Sequence, residues 1–239
     1  MPKLFSPQDA ELLKKEFEKL KNPVVFGLVV DKDREPLHVH DETGHHDMDA
    51  NEMAEMLLSD LKEISNGKID YKVYDKSEKK EFCPEGESKY CGPILFFEDS
   101  PNVRYYGLPF GEEMPPFLDD IVTKGTGEPM LPPKAIELAK EIDQKLQEPI
   151  YVYVFITPTC PNCPYATEAT HQLGLISNKV HAYMIEAYEF PDWADKYNVY
   201  GVPKIVIKDS KGNTLDEWEG TFRIPMACYE RILEAINKL

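Results

Sequence analysis

The stretch YVYVFITPTCPNCPYATEATHQL, residues 151–173, decides how this 239-residue chain is read. Its first six residues, YVYVFI, form an apolar run rich in β-branched and aromatic side chains, the signature of a buried strand. A short Pro/Thr segment follows, and then Cys160 and Cys163 bracket Pro161 and Asn162. From Cys163 onward, CPYATEATHQLGL can run as a helix. A thiol at the head of a helix meets unpaired amide N–H groups and the positive end of the dipole, which favour the thiolate. Cys160, in the first turn, is therefore the expected attacking thiolate. Cys163, one turn later and shielded, is the expected resolving thiol. Pro161 suits an early helical position, whereas Pro164 is expected to kink the helix at its second turn. The competing reading is half of a zinc site, which requires a second Cys/His pair at suitable spacing. His171 and His181 stand alone, so the strand, Cys-x-x-Cys, helix context favours redox chemistry.

Downstream, YGVPKIVI (200–207) is a proline opening an apolar strand. Proline donates no ladder hydrogen bond and is tolerated at a strand's first residue. A cis Val202–Pro203 bond would set exposed backbone beside the cysteine pair, where an extended substrate segment could lie.

The same order of elements is written earlier in the chain. PQDAELLKKEFEKLKNPVVFGLVV (7–30) and PPKAIELAKEIDQKLQEPIYVYVFI (132–156) each read as amphipathic helix, proline, apolar strand, with Leu13, Phe17 and Leu20 matched by Leu138, Ile142 and Leu146. KIDYKVYD (68–75) matches KVHAYMIEAYE (179–189), and GPILFFED (92–99) matches VPKIVIKD (202–209). VRYYGLPFGEEMPPFLDDI (103–121) matches LDEWEGTFRIPMACYERIL (215–233), each a strand, a glycine and a helix. Pro23 and Pro149 are offset by 126 and Pro93 and Pro203 by 110, so the first copy carries 126 − 110 = 16 extra residues, between its first strand and the helix after it. The pattern predicts an α/β chain of two tandem units, each a central mixed sheet flanked by helices: residues 1–122, a Gly/Pro-rich linker at 123–133, and residues 134–239.

Composition narrows the function. A formal charge of −16 opposes nucleic-acid binding, which needs clustered Lys and Arg. No apolar run reaches the length of a membrane span, and the charged, amphipathic start is not a secretory leader, so a cytoplasmic protein is expected. Arginines number only four, glutamine is scarce and Lys and Glu abound, a bias similar to that of thermophile proteins. Five cysteines are too few and too odd in number for a secreted disulfide framework.

Cys-Pro-Asn-Cys between strand and helix, followed by GVPKIVI, resembles the thioredoxin/glutaredoxin superfamily. With VFITPTCPNCP, EFPDWADKYNVYGVPKIVI and VRYYGLPFGEE in tandem, nearly the whole chain resembles the glutaredoxin-like protein disulfide oxidoreductases of thermophiles. The resemblance implies two thioredoxin folds, dithiol–disulfide exchange on protein substrates, no cofactor, Cys160 as nucleophile, Cys163 as resolver, and Pro203 as a cis-proline that with Val202, Pro161 and Asn162 borders the substrate. Two features depart from it. Unit one has no Cys-x-x-Cys after VVFGLVV, which makes it a degenerate partner. Val154 stands six residues before Cys160, where thioredoxin itself carries a buried acid.

Where the missing motif belongs, unit one reads DKDREPLHVHDETGHHDMDANEM (31–53). We expect an exposed, hairpin-like insertion over the former catalytic edge, a contact for a substrate or partner. The alternative is a metal site built from His38, His40, His45 and His46 with neighbouring acids. Another alternative is an electron relay between a thioredoxin-reductase-like flavoprotein and a peroxiredoxin, since such tandem folds with one silent unit resemble the N-terminal region of flavin-dependent peroxiredoxin reductases. Cys83 and Cys91 are expected as free thiols, with a small disulfide as the other outcome, and Cys228 as a packed core thiol.

Overall fold

The computed structural model describes residues 4–41 and 44–238, with backbone only for residues 38–41 and 44–46. Unit one contains α1 (Pro7–Glu18), β1 (Val24–Val30), β2 (Leu37–Asp41), β3 (Gly44–Met48), α2 (Ala50–Ile64), β4 (Ile69–Asp75), β5 (Ile94–Phe97), β6 (Ser100–Tyr106) and α3 (Met114–Thr126). Unit two contains α4 (Pro133–Lys145), β7 (Ile150–Ile156), α5 (Cys163–Ile176), β8 (Val180–Glu186), α6 (Pro191–Lys196), β9 (Lys204–Lys208), β10 (Thr214–Glu219) and α7 (Pro225–Ile236).

Local signals explain the element ends. Ser6 caps α1 by accepting the Asp9 amide at 3.1 Å, with Pro7 in the first turn. Asp49 caps α2 through the Asn51 and Glu52 amides. A left-handed Gly127 closes α3 at Thr126, so the helix runs into the stretch expected as linker and the connection begins only there. The repeat extends to single side chains. Lys68 Nζ donates to the carbonyls of Phe17, Glu18 and Leu20 at the end of α1, and Lys179 Nζ does the same for Asp143 and Leu146 at the end of α4.

Each unit lays its strands in one order, and the two sheets fuse into an eight-stranded sheet, β10-β9-β7-β8-β6-β5-β1-β4. The seam is a parallel pairing of β6 with β8, Val103 opposite Ala182 through Tyr106 opposite Ile185. Fusion covers two edges that would otherwise present unpaired backbone. Asn102 on β6 strengthens the seam: its buried Nδ2 donates to the carbonyls of Gly174 and Ser177 at the end of α5 and of Val180 at the start of β8.

Two hydrophobic cores each draw on both units, and each fully buried Phe or Leu in them contributes about 1.5–3 kcal/mol. Inside β1, a Cβ on Gly27 would lie 2.0 Å from the Phe96 ring, so only glycine lets that ring cross the strand. Between α3 and α5 lies a polar cluster with no solvent exposure. Asp120 of unit one accepts the Tyr105 hydroxyl, Gln172 Nε2 at 2.8 Å, and pairs with His171 Nδ1 at 2.9 Å. Gln172 Oε1 in turn accepts the Thr123 hydroxyl and the Met130 amide, both at 3.0 Å.

The insertion is the antiparallel hairpin β2–β3, with His40 opposite His45 and Val39 opposite His46. Residues 31–49 separate β1 from α2 and residues 157–162 separate β7 from α5, so the loop excess is 19 − 6 = 13 residues. The side chains of His38, His40, His45 and His46 lie outside the described residues, so the candidate metal site does too. Among the described residues no three His, Cys, Asp or Glu side chains converge as metal ligands. No described helix is long and apolar enough to cross a membrane.

Candidate active site

Strand β7 ends at Ile156, and residues 157–162 carry the chain to the head of α5. Cys160 and Cys163 form a disulfide there. Helix α5 begins at Cys163, not Cys160, which corrects three expectations. Pro161 lies before the helix, not at an early helical position. Cys160 precedes the first turn, and Pro164 is that turn's second residue, where a proline loses no intrahelical bond and causes no kink. The electrostatic argument survives the shift, because the Cys163 amide donates to Cys160 Sγ at 3.1 Å. Cys160 is 7% exposed and Cys163 is fully buried, so of the pair only Cys160 borders solvent. Pro161 and Asn162 are exposed, and Asn162 Oδ1 lies 3.5 Å from the Arg223 guanidinium.

The Val202–Pro203 bond is cis, as is its unit-one counterpart Gly92–Pro93. Strand β9 pairs antiparallel with β7, Lys204 opposite Phe155, which sets Pro203 beside the end of the strand that feeds the cysteine loop. Val202 is half-buried and Pro203 buried, its carbonyl accepting the Gly220 amide at 2.8 Å.

Unit one completes the site with residues that sequence reading missed. The 3-10 turn Gly111–Glu113 packs on the cysteine loop, with the Glu112 amide donating to the Pro158 carbonyl at 2.9 Å. Gly111 has φ 61°, and a Cβ there would lie 2.2 Å from that carbonyl. Glu113 is fully buried against α5 with both carboxyl oxygens unpartnered. Burial pushes its carboxyl up to about 7, against the Thr167 hydroxyl four residues beyond Cys163, which favours the charged form without closing a hydrogen bond. A buried acid, absent at Val154, thus reaches the site from the other unit.

A second buried acid group borders the loop. Glu186, opposite Ile156 at the end of β8, is pushed up to about 8 by burial and by Glu189. Arg34 of the insertion donates to the carbonyls of Gly92 and Glu189, reaches the Glu189 carboxylate at 3.7 Å, and stacks over the rings of Tyr90 and Phe190. These residues floor a cavity of about 780 Å³ between the units, walled by Leu37 and Met48 of the hairpin, Leu108 and Phe110, and Pro158 and Tyr188. The cavity reaches Pro158, two residues from Cys160, and so offers a concave surface beside the disulfide.

Cys83 and Cys91, expected as free thiols, are joined as a disulfide. The 3-10 turn Lys80–Phe82 and the turn after Pro84 fold the chain back, bringing the two Cα atoms to 4.6 Å. Cys228 is free, buried in the core, and its thiol is pushed up to about 12 by desolvation.

A cysteine pair at the head of a helix, with a cis-proline opening the strand next to β7 in a thioredoxin-type sheet, defines a thiol–disulfide oxidoreductase. Residues 150–214 match the family model of the thioredoxin domain. Over nearly its whole length the chain is similar in fold to a protein disulfide oxidoreductase from Aeropyrum pernix, with TM-score 0.72 and 24% identity across 98% of this chain and 94% of that one. It is equally similar to the alkylhydroperoxide reductase AhpF of Enterococcus faecalis, with TM-score 0.72 and 18% identity across 96% of this chain and 99% of that one. Sso1120 from Sulfolobus solfataricus shares the fold at TM-score 0.55 and 20% identity, across 82% and 93% of the two chains. No curated protein matches the chain.

Proposed function

We propose that this protein exchanges dithiols and disulfides with protein substrates through the one pair Cys160/Cys163, unit one acting as a support that supplies part of the site. The observation that carries this reading is the asymmetric burial of the pair at the head of α5, with Cys160 Sγ held by the Cys163 amide. In the reduced enzyme the amides of the first turn stabilise the Cys160 thiolate. That thiolate attacks a substrate disulfide, forming a mixed disulfide and expelling a substrate thiolate. Cys163 then loses its proton and attacks Cys160 Sγ, which restores the intramolecular disulfide and frees the second substrate thiol. Val202, Pro203, Pro161 and Asn162 border the substrate. No cofactor enters these steps.

Several exposed apolar side chains support a protein substrate. Tyr165 lies two residues beyond Cys163, Tyr200 three before Pro203, and Ile224 follows the Arg223 that stacks on Tyr165. Exposed apolar groups gathered at one site mark a surface for an apolar partner. An insulin-reduction assay tests the proposal. Turnover with a dithiol donor is the expected result, and the absence of turnover would count against it.

We assign Glu113 to take up the Cys163 proton; it is the buried carboxyl whose neighbour Thr167 lies one turn of α5 beyond Cys163. It can do so only when ionised, so the resolving step should speed up as pH rises through about 7. Glu113→Gln should abolish that inflection in single-turnover release of substrate, with the formation of the mixed disulfide little changed. Linkage gives an independent check. A carboxyl whose folded pKa is raised costs stability as pH rises from its unfolded value toward about 7, here roughly 3 kcal/mol in full. Above that pH, Glu113→Gln should therefore be more stable than wild type in urea titrations, and near pH 4 it should not.

A second reading is an electron relay, the partners being a flavin-dependent reductase and a peroxiredoxin. The likeness to the alkylhydroperoxide reductase AhpF across 99% of that chain supports it. Faster reduction by a thioredoxin-reductase-like flavoprotein than by glutathione is expected on this reading, and the reverse order would exclude it. The sparse, odd-numbered cysteines of the chain support action in the cytoplasm.

A further inference from the structure

The disulfide of unit one occupies a particular place. Cys91 stands two residues before the cis Pro93, as Gly201 stands two before the cis Pro203. Its amide donates to Asp31, the first residue after β1, so the pair sits at the edge where unit two keeps its own cysteines. Cys91 is 6% exposed, but Cys83 is half-buried and lines a cavity of about 370 Å³. Arg104 lines the same cavity, stacked 4.0 Å from the ring of Phe82 next to Cys83 in sequence, as do Glu81, Glu85 and Glu87.

The loop that this disulfide closes clamps unit two. Glu87 forms ion pairs with Lys196 and Lys208, each at 2.8 Å, and accepts the Tyr197 hydroxyl at 3.0 Å. Lys196 also donates to the Gly86 carbonyl, while the Ser88 hydroxyl and Lys89 amide both donate to Asp192. Apart from Lys208 on β9, these partners belong to α6 and Tyr197 just after it, and that segment runs on to Val202 and Pro203 at the Cys160 site. Opening the disulfide would return the conformational freedom of the 84–90 loop that now holds these bonds in register.

We propose that Cys83–Cys91 is a second exchangeable disulfide, opened at Cys83 by a protein dithiol, and that its opening releases the 84–90 loop from α6 and loosens the segment leading to Pro203. A thiolate of the dithiol attacks Cys83 Sγ, the bond to Cys91 breaks, and Cys91 leaves as a thiolate that takes a proton from water. The donor's second thiol attacks the mixed disulfide, Cys83 is released as a thiol, and the donor ends as the disulfide, two electrons having passed. The redox state of unit one then sets how firmly the substrate edge of unit two is held.

The test uses the full-length Cys160→Ser/Cys163→Ser protein, with wild type mapped in parallel as a guard against a folding defect in the variant. Each is treated with dithiothreitol without denaturant, alkylated with N-ethylmaleimide and mapped by peptide mass. We expect Cys83 and Cys91 to be alkylated in both proteins while Cys228 stays unlabelled. Amide hydrogen exchange across 84–90 and 191–203 should rise several-fold on reduction. In Cys91→Ser the remaining Cys83 thiol should react with an aromatic disulfide reagent about tenfold faster than Cys91 does in Cys83→Ser. Alkylation that appears only in denaturant overturns the proposal, as does reduction with no change in exchange. Because the variant lacks the Cys160/Cys163 pair, its outcome is independent of whether wild type reduces insulin.

Discussion

Cys160→Ser should lower insulin reduction by at least about a thousandfold, because it removes the atom on which every step depends. Cys163→Ser should abolish turnover in a different way. Its Cys160 can still attack, but no resolving thiol remains, so a covalent mixed disulfide with substrate should accumulate and be visible by non-reducing electrophoresis and intact mass. The asymmetry follows from burial. Cys160 borders solvent and Cys163 does not, so a substrate sulfur can reach only the first. Cys91→Ser leaves this pair intact and should retain most of the turnover. Equal loss in Cys160→Ser and Cys91→Ser would mean that unit one carries half the chemistry, and the single-site reading would fail.

Asp120→Ala should be the most damaging single change to stability outside the disulfides. The carboxylate is fully buried between α3 and α5 and serves Tyr105, His171 and Gln172 together. Removing it strands three buried polar groups without an acceptor and opens a cavity, for an expected loss of about 3–5 kcal/mol. The readout is the urea midpoint at constant slope. Glu128→Ala, which breaks only the exposed pair with Lys21, should leave the midpoint unchanged. If the two variants unfold together, the cluster is not what locks α3 to α5. Because Glu113 reaches the cysteine loop only while α3 stays docked, a destabilised Asp120→Ala protein should also lose its pH inflection near neutrality. Asp120→Asn keeps an acceptor for the tyrosine and should retain more of both properties.

Much of the candidate site was legible in the sequence because its signals are local. Cys160, Cys163 and Pro203 are each announced by neighbours within six residues: an apolar strand before, a helix or strand after. The two-unit reading rested on periodicity and on paired prolines, which survive in any arrangement of the units. The hairpin insertion was legible as an arithmetic excess, although its size came out at 13 loop residues instead of 16.

What escaped the sequence are contacts between residues far apart in the chain. Glu113 and Asp120 look like ordinary surface acids in GEEMPPFLDDI, and nothing in their own helix says that α5 will cover them. Arg34 sits in a polar loop, 155 residues before the Glu189 it holds. The Cys83–Cys91 bond depended on turns whose return path no periodicity records.

The sequence by itself therefore determined two thioredoxin-like units and a single Cys-x-x-Cys between a strand and a helix, because strand and helix periods and turn residues are written in short range. Only the tertiary structure decided that the two sheets fuse through β6 and β8. It also decided that unit one lends a buried acid to unit two, and that a second disulfide closes the loop bonded to α6. Those outcomes depend on which side chains share a dry interface, where an unpaired polar group is costly and a charge moves its neighbour's pKa.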